Sequence, residues 1–204
     1  FVNINDEKMS KSLKNFFTIR GVLDKYDGET LRYFLISSHY RSPLNFSDTN
    51  IDSAKSALKR LYTATKGFSS GKEIDTQVGK HFDYEDRFNA ALNDDFNTPI
   101  ALSILFEIAK QVNIERSKSV EQASSLAQLL KKLGNYLGIL GYDADEYLQQ
   151  GSELSEAEVS IKINQREEAR ASKDFAMSDQ IRDELLTLGI ILEDSIDGTS
   201  WRRK

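Results

Sequence analysis

Apolar residues recur at helical spacing along most of the chain, and only two prolines and 11 glycines interrupt them. Residues 18–26 and 29–38 read as two short helices parted at Asp27-Gly28. The second, ETLRYFLISS, is apolar almost all round and reads as buried. After a loop, HYRSPLNF, Ser47 is placed to cap a long helix whose buried stripe is Ile51, Ala54, Leu58, Leu61 and Tyr62. Glycines, serines and mixed charges over 67–80 predict a loop. Two further helices follow around a junction capped by Asn97 or Thr98, with Pro99 in the first turn, where its missing N–H costs nothing. Ala101, Leu105, Ile108 and Val112 share one face of the second of these helices. Leu126, Leu129, Leu130, Leu133, Leu137 and Leu140 form the clearest amphipathic stripe in the chain. Each stripe predicts a seam of a helical bundle.

The period changes near the end. An acidic, Gln/Gly/Ser-containing stretch from Gly141 to about Ser155 reads as a linker. Helices are predicted over 156–172 and 175–188, with Gly189 as C-cap. GIILED then reads as a strand, SIDG as a turn and TSWRR as the returning strand, with Trp201 as core beneath this hairpin. The fold class predicted is mainly α. Its expected parts are connecting segments over 1–46, a bundle over 47–140, a linker over 141–157 and a small α/β domain over 158–204.

Composition narrows the chemistry. With 204 residues, 39% hydrophobic and 29% charged, the chain can build one large or two modest cores. No apolar run approaches a membrane span and no secretory leader pattern opens the chain, so a cytoplasmic location without membrane association is expected. It contains no cysteine, which removes disulfides and thiolate zinc sites, and His39 and His81 lie in different segments, so no metal site is predicted. The net charge of −5 is uneven: residues 1–66 carry 11 Lys+Arg against 7 Asp+Glu, while 67–154 carry 8 against 14 and 155–204 carry 8 against 11. Binding to phosphate would therefore rest on the first segment and on local basic stripes, against ordinary surface variation as the plain alternative.

Two constellations could carry chemistry. The first is KMSKS, residues 8–12, between the strand-like FVNI and the helix-like LKNFFTIR. Lys8 and Lys11 are mobile point charges for phosphate, and Ser10 and Ser12 can donate to phosphate oxygens. When a carboxylate attacks an α-phosphate and pyrophosphate leaves, a lysine that swings in stabilises the transition state more than the ground state. A solvated Lys/Ser turn is the bland alternative.

The second lies in the terminal helices. Arg166, Arg170 and Lys173 are spaced i, i+4, i+7, a basic stripe able to follow an RNA backbone. Phe175, Asp179 and Arg182 repeat that spacing opposite an apolar face of Met177, Ile181, Leu185 and Leu188. An aromatic ring beside a carboxylate and a guanidinium can stack on a base and bond to its edges. An intrahelical salt-bridge network is the competing interpretation. Lys55, Lys59 and Lys66 share a helix face, either solvated or against RNA, and His39 reads as a structural hydrogen-bonder. The Asp94-Asp95 pair reads as favouring the N-terminus of the helix that follows.

KMSKSLKNFFTIRGVLDKYDGETLRYFLISSHYRSPLNFS resembles the signature-loop region of class I aminoacyl-tRNA synthetases, specifically the bacterial-type cysteinyl-tRNA synthetases. The resemblance continues through NAALNDDFNTPIALSILFEIAKQVN and resumes in REEARASKDFAMSDQIRDELLTLGIILEDSIDGTSWRR. It implies that Lys11, supported by Lys8, contacts ATP (with Mg) during cysteine activation, and that the terminal domain binds the anticodon of tRNA(Cys). The matching positions make Arg170, Asp179 and Asp194 the implied base readers, with Phe175 where many relatives carry tryptophan. The His-x-Gly-His motif and the zinc ligands of the family are absent from this sequence and expected upstream. The chain thus resembles the C-terminal portion of such an enzyme, expected to be monomeric and inactive alone. Two other readings are a cysteine:amino-sugar ligase of mycothiol synthesis, which lacks the anticodon-like tail, and a stand-alone helical RNA-binding or scaffold protein.

Overall fold

A computed structural model describes residues 2–4, 7–10, 18–68, 81–149, 154, 156–195 and 198–203. The chain divides into two compact units, Phe1–Ala144 and Asp145–Lys204.

The first unit opens on two short strands, β1 (Val2–Ile4) and β2 (Glu7–Lys8), paired antiparallel. After α1 (Ile19–Leu23) and α2 (Gly28–Ile36), β3 (Leu44–Phe46) returns parallel to β1, with Val2 opposite Leu44. The segment predicted as a loop therefore contains a strand. Three alternating residues after Pro43 give too short a local signal, and the pairing partner lies some forty residues upstream. The break predicted at Asp27-Gly28 is a cap: the Asp27 carboxylate accepts from the Thr30 backbone N–H at 2.8 Å and from the Thr30 hydroxyl at 2.6 Å. Helix α2 buries one face only. Glu29, Thr30, Tyr33 and Phe34 are buried, while Leu35 remains exposed.

The bundle is built from α3 (Asp48–Thr65), α4 (His81–Asn93), α5 (Thr98–Glu115) and α6 (Val120–Tyr136). Ser47, Asn97 and Ser119 cap α3, α5 and α6 through side-chain oxygens, and Pro99 sits in the first turn of α5. Helix α5 packs on α3, α4 and α6. The predicted stripes meet there: Ile51, Leu58, Leu61, Leu105, Ile108, Leu130 and Leu133 are inaccessible to solvent. Helix α6 stops at Tyr136, before the last two residues of the predicted leucine stripe, although Leu140 is still buried. Leu137 caps the helix, and Gly138, at φ +71°, turns the chain.

Asp95, one of the pair predicted to favour the α5 N-terminus, has further partners. It sits in the α4–α5 turn at φ +53° and faces the 39–41 segment. The Tyr40 hydroxyl donates to its carboxylate at 2.7 Å, Arg41 approaches at 3.1 Å, and His39 Nε2 lies 3.0 Å from its carbonyl oxygen. Asn97 supplies the cap, one of the two residues predicted for it, accepting from the Ile100 N–H.

Helix α7 (Ala144–Gln149) forms within the stretch predicted as linker, with Ala144, Tyr147 and Leu148 buried at i, i+3, i+4 among acidic neighbours. The second unit then places α8 (Glu156–Ala171) and α9 (Phe175–Thr187) beside a hairpin of β4 (Ile190–Ser195) and β5 (Gly198–Arg203). Its core is Val159 and Ile163 from α8, Ile181 and Leu185 from α9, and Ile190, Leu192 and Trp201 from the hairpin. Leu192 and Trp201 stand directly opposite each other. Gly189 adopts φ +76° just after α9, the left-handed turn predicted for it. Among the described residues no helix is long and apolar enough to cross a membrane.

Candidate nucleic-acid interface

Alternation along β4 decides where its polar end points. Ile190, Leu192 and Asp194 share the face that packs on the helices, and the first two are core. Across the ladder, Thr199 stands opposite Asp194 as Trp201 does opposite Leu192. The apolar face of the hairpin thus ends in a polar pair, Asp194 and Thr199, at its rim.

Helix α8 meets that rim with an arginine. Val159, Ile163, Arg166 and Ala169 form its buried stripe at i, i+4, i+7, i+10. The Arg166 side chain, only 5% exposed, forks onto Asp194: Nη1 donates to Oδ1 and Nη2 to Oδ2, each at 2.8 Å. The Thr199 hydroxyl also donates to Asp194 Oδ1 at 2.8 Å. Arg170, one turn on and half-exposed, holds Nη1 3.5 Å from Asp194 Oδ2. The hydrogen bonds from Arg166 and Thr199 pull the Asp194 carboxyl far below the usual carboxylate range, against a smaller opposing effect of burial.

The basic stripe predicted from Arg166, Arg170 and Lys173 is therefore not a surface stripe. Arg166 is buried and committed to Asp194. Lys173 lies past the end of α8 at φ +61°, in the turn that leads into α9. Arg170 alone of the three is an exposed basic group on the helix.

Helix α9 starts at this same turn, with Asp174 as its cap accepting from the Met177 N–H at 3.1 Å. Phe175 opens it with 63% of its surface exposed, and Asp179 and Arg182 are exposed at the following turns. The buried face of α9 is Ser178, Ile181 and Leu185; Met177 and Leu188, predicted as apolar face, are substantially exposed. The exposed surface of α8, α9 and the hairpin rim carries the Phe175 ring, the carboxylates of Asp179 and Asp194 and the guanidinium groups of Arg170 and Arg182, a set able to stack on and bond to unstacked bases.

Of the KMSKS residues, Lys8 is exposed on β2 and Ser10 is half-buried just beyond it; Lys11 and Ser12 lie outside the described residues. An ammonium and a hydroxyl close together suit a polyphosphate. For zinc the chain offers no cysteine, and among the described residues no group of three His, Cys, Asp or Glu side chains could hold a metal.

Sequence reasoning missed the distinct roles of Arg166 and Thr199. Both were findable, Arg166 as the continuation of the Val159/Ile163 stripe and Thr199 as the second residue before Trp201 on the same strand face.

Comparison with known proteins gives matching family descriptions for three segments. Residues 1–56 match the tRNA synthetases class I (C) catalytic domain, 87–141 the DALR domain, and 157–202 the cysteinyl-tRNA ligase anticodon binding domain. Among curated relatives, the cysteine–tRNA ligase of Tolumonas auensis is 48% identical over 206 residues. Those of Thioalkalivibrio sulfidiphilus and Yersinia enterocolitica are 50% identical over 205 and 206 residues. Each alignment covers all of this chain and 44% of the relative, so the chain spans under half the length of the curated proteins it matches.

Proposed function

We propose that this chain, which belongs to the cysteine–tRNA ligase family and corresponds to its members' C-terminal part, binds tRNA(Cys) and contributes a phosphate-handling loop to cysteine activation. The reaction proposed for the whole enzyme joins cysteine to ATP as an adenylate, releasing pyrophosphate, and then transfers cysteine to the tRNA, releasing AMP. In that reaction Lys11 and Lys8, with the hydroxyls of Ser10 and Ser12, would stabilise charge on the ATP phosphates as pyrophosphate departs; Mg bound with ATP would share that charge.

The anticodon is assigned to the small unit. Phe175 offers its ring to an unstacked base, Asp179 accepts from base N–H groups, and Arg170 donates to base or phosphate oxygens. Asp194 stands beside Arg170 in the same cluster. The observation that carries this reading is the joint exposure of Phe175, Asp179 and Arg170 where α8 gives way to α9.

The chain carries its own reporter. Trp201 is the single tryptophan and is buried in the small unit, two residues from Thr199 on β5. Titration with a tRNA bearing the GCA anticodon is expected to change Trp201 fluorescence, and an anticodon-substituted tRNA to bind clearly more weakly. Equal, salt-sensitive binding of both would reduce the interaction to phosphate contact and overturn the anticodon assignment.

A further inference from the structure

The structure assigns Arg166 a role as positioning residue for base recognition: it fixes the plane of the Asp194 carboxylate and, through it, the Arg170 guanidinium. This rests on the anticodon reading above and adds to it a residue that touches no RNA.

Three observations carry the inference. The contact is a two-point fork, 2.8 Å at each oxygen, so it sets the orientation of the carboxylate as well as its distance. Its two members differ in exposure, Arg166 at 5% and Asp194 at 42% of the side chain. A buried donor therefore holds an acceptor that faces solvent. Finally, Arg170 approaches the same carboxylate at 3.5 Å from the solvent side, so buried arginine, carboxylate and exposed arginine stand in series.

The arrangement is costly for a purely structural contact. Arg166 Nε is buried and has no hydrogen-bond partner among the described residues. Burying a guanidinium beneath an apolar stripe offers little net stability, since a well-packed apolar side chain of similar volume often does as well. Orientation is what an apolar residue cannot supply. Asp194 accepts from Arg166 twice and from Thr199 once, which leaves part of its acceptor capacity for an incoming base N–H in a fixed direction. Preorganised groups lose less on binding than groups that must be ordered by the ligand.

The test uses the full chain with Arg166→Met, which keeps the bulk, and Arg166→Lys, which keeps the charge without the fork. Arg202→Gln is the control, since it removes a positive charge from the same unit at a residue paired to Glu193. Binding is measured to tRNA transcripts with the GCA anticodon and with a substituted one, at two salt concentrations. Both Arg166 variants are expected to lose about tenfold or more in affinity for the GCA transcript, as for one good base contact. Binding to the substituted transcript and the salt dependence should stay unchanged, and Arg202→Gln should discriminate as the parent does. Carboxyl-carbon NMR supplies an RNA-free readout: the Asp194 titration should move up in Arg166→Met.

Equal weakening for both transcripts with a shallower salt dependence would make Arg166 a phosphate contact and overturn the inference. So would an Asp194 titration that does not move. If the parent chain fails to discriminate between the transcripts, the anticodon reading falls, and the base-recognition role of Arg166 falls with it. The NMR titration then still decides separately whether Arg166 governs Asp194.

Discussion

The Tyr62 hydroxyl donates to Glu29 Oε2 at 2.7 Å, joining α3 to α2 inside the helical unit. The Gly141 N–H donates to the other carboxylate oxygen at 3.1 Å, and the Tyr142 N–H donates to the Tyr62 hydroxyl at 3.1 Å. One buried carboxylate thereby ties two helices to the turn that follows α6.

Removing the hydroxyl should show what that tie is worth. Tyr62→Phe leaves the ring in place but takes a donor from Glu29 and an acceptor from the Tyr142 N–H. A buried polar group without its partner costs about 1–3 kcal/mol. Thermal unfolding followed by circular dichroism should report a loss of that size. A change near zero would mean that water replaces the hydroxyl.

Glu29 and Asp194 should respond to pH with opposite signs. Burial raises the Glu29 carboxyl, outweighing the hydrogen bonds that lower it. The folded state then holds its proton more readily than the unfolded chain, so this group's contribution falls as pH rises from the unfolded value toward the folded one. The Asp194 carboxyl is pulled down by Arg166 and Thr199. Its contribution is present above the unfolded value of about 3.9 and is lost as pH falls through the folded one. Urea unfolding read by Trp201 should therefore weaken steadily below about pH 5 in the parent and more gently in Asp194→Asn. Parallel curves would remove Asp194 as the source of the acid sensitivity.

The sequence reveals what is local and periodic. The Ile51–Tyr62 stripe, the Asn97-Thr98-Pro99 start of α5, and the Gly189 turn all depend on neighbours within one or two helical turns, and the structure shows each of them. β3 escaped because a three-residue strand is decided by its distant partner β1, and α7 because six residues scarcely establish a period. Arg166 escaped for a different reason. Its charge outweighed its position, although i+7 from Val159 and i+3 from Ile163 places it under the hairpin. Residue types and spacing singled out Arg170, Phe175 and Asp179 as candidates, whereas Asp194 entered only through the resemblance. Which arginine is buried is set by packing between α8 and the hairpin, beyond the reach of either element's own pattern.

Two left-handed residues in the small unit give a paired prediction. Lys173 at φ +61° and Gly189 at φ +76° occupy equivalent turns after α8 and α9. A side chain in that conformation costs roughly 1–2 kcal/mol, and the space beside Gly189 is open, so Gly189→Ala should lower stability by about that amount through backbone strain alone. Lys173→Gly should raise stability by up to about 1 kcal/mol, reduced by the greater freedom of glycine in the unfolded chain. Denaturant midpoints read by Trp201 compare the two. A Lys173→Gly chain less stable than the parent would mean that the lysine makes a contact worth more than the strain it carries.

Phe175 offers the most direct test of stacking. It is 63% exposed in the first turn of α9, so Phe175→Ala should change stability by no more than about 0.5 kcal/mol. Removing an aromatic platform from a base, by contrast, costs about 1–3 kcal/mol of binding. The expected pattern is an unchanged unfolding midpoint with clearly weaker binding of the GCA transcript. Phe175→Trp should bind at least as well as the parent, because indole offers a larger stacking face. Since that substitution adds a second tryptophan, anisotropy of a labelled RNA is the better readout. If the alanine variant binds like the parent, the ring does not meet a base, and recognition reduces to the charged groups of Arg170, Asp179 and Asp194. Retained anticodon discrimination in that variant would assign specificity to those groups, and its loss would return it to the ring.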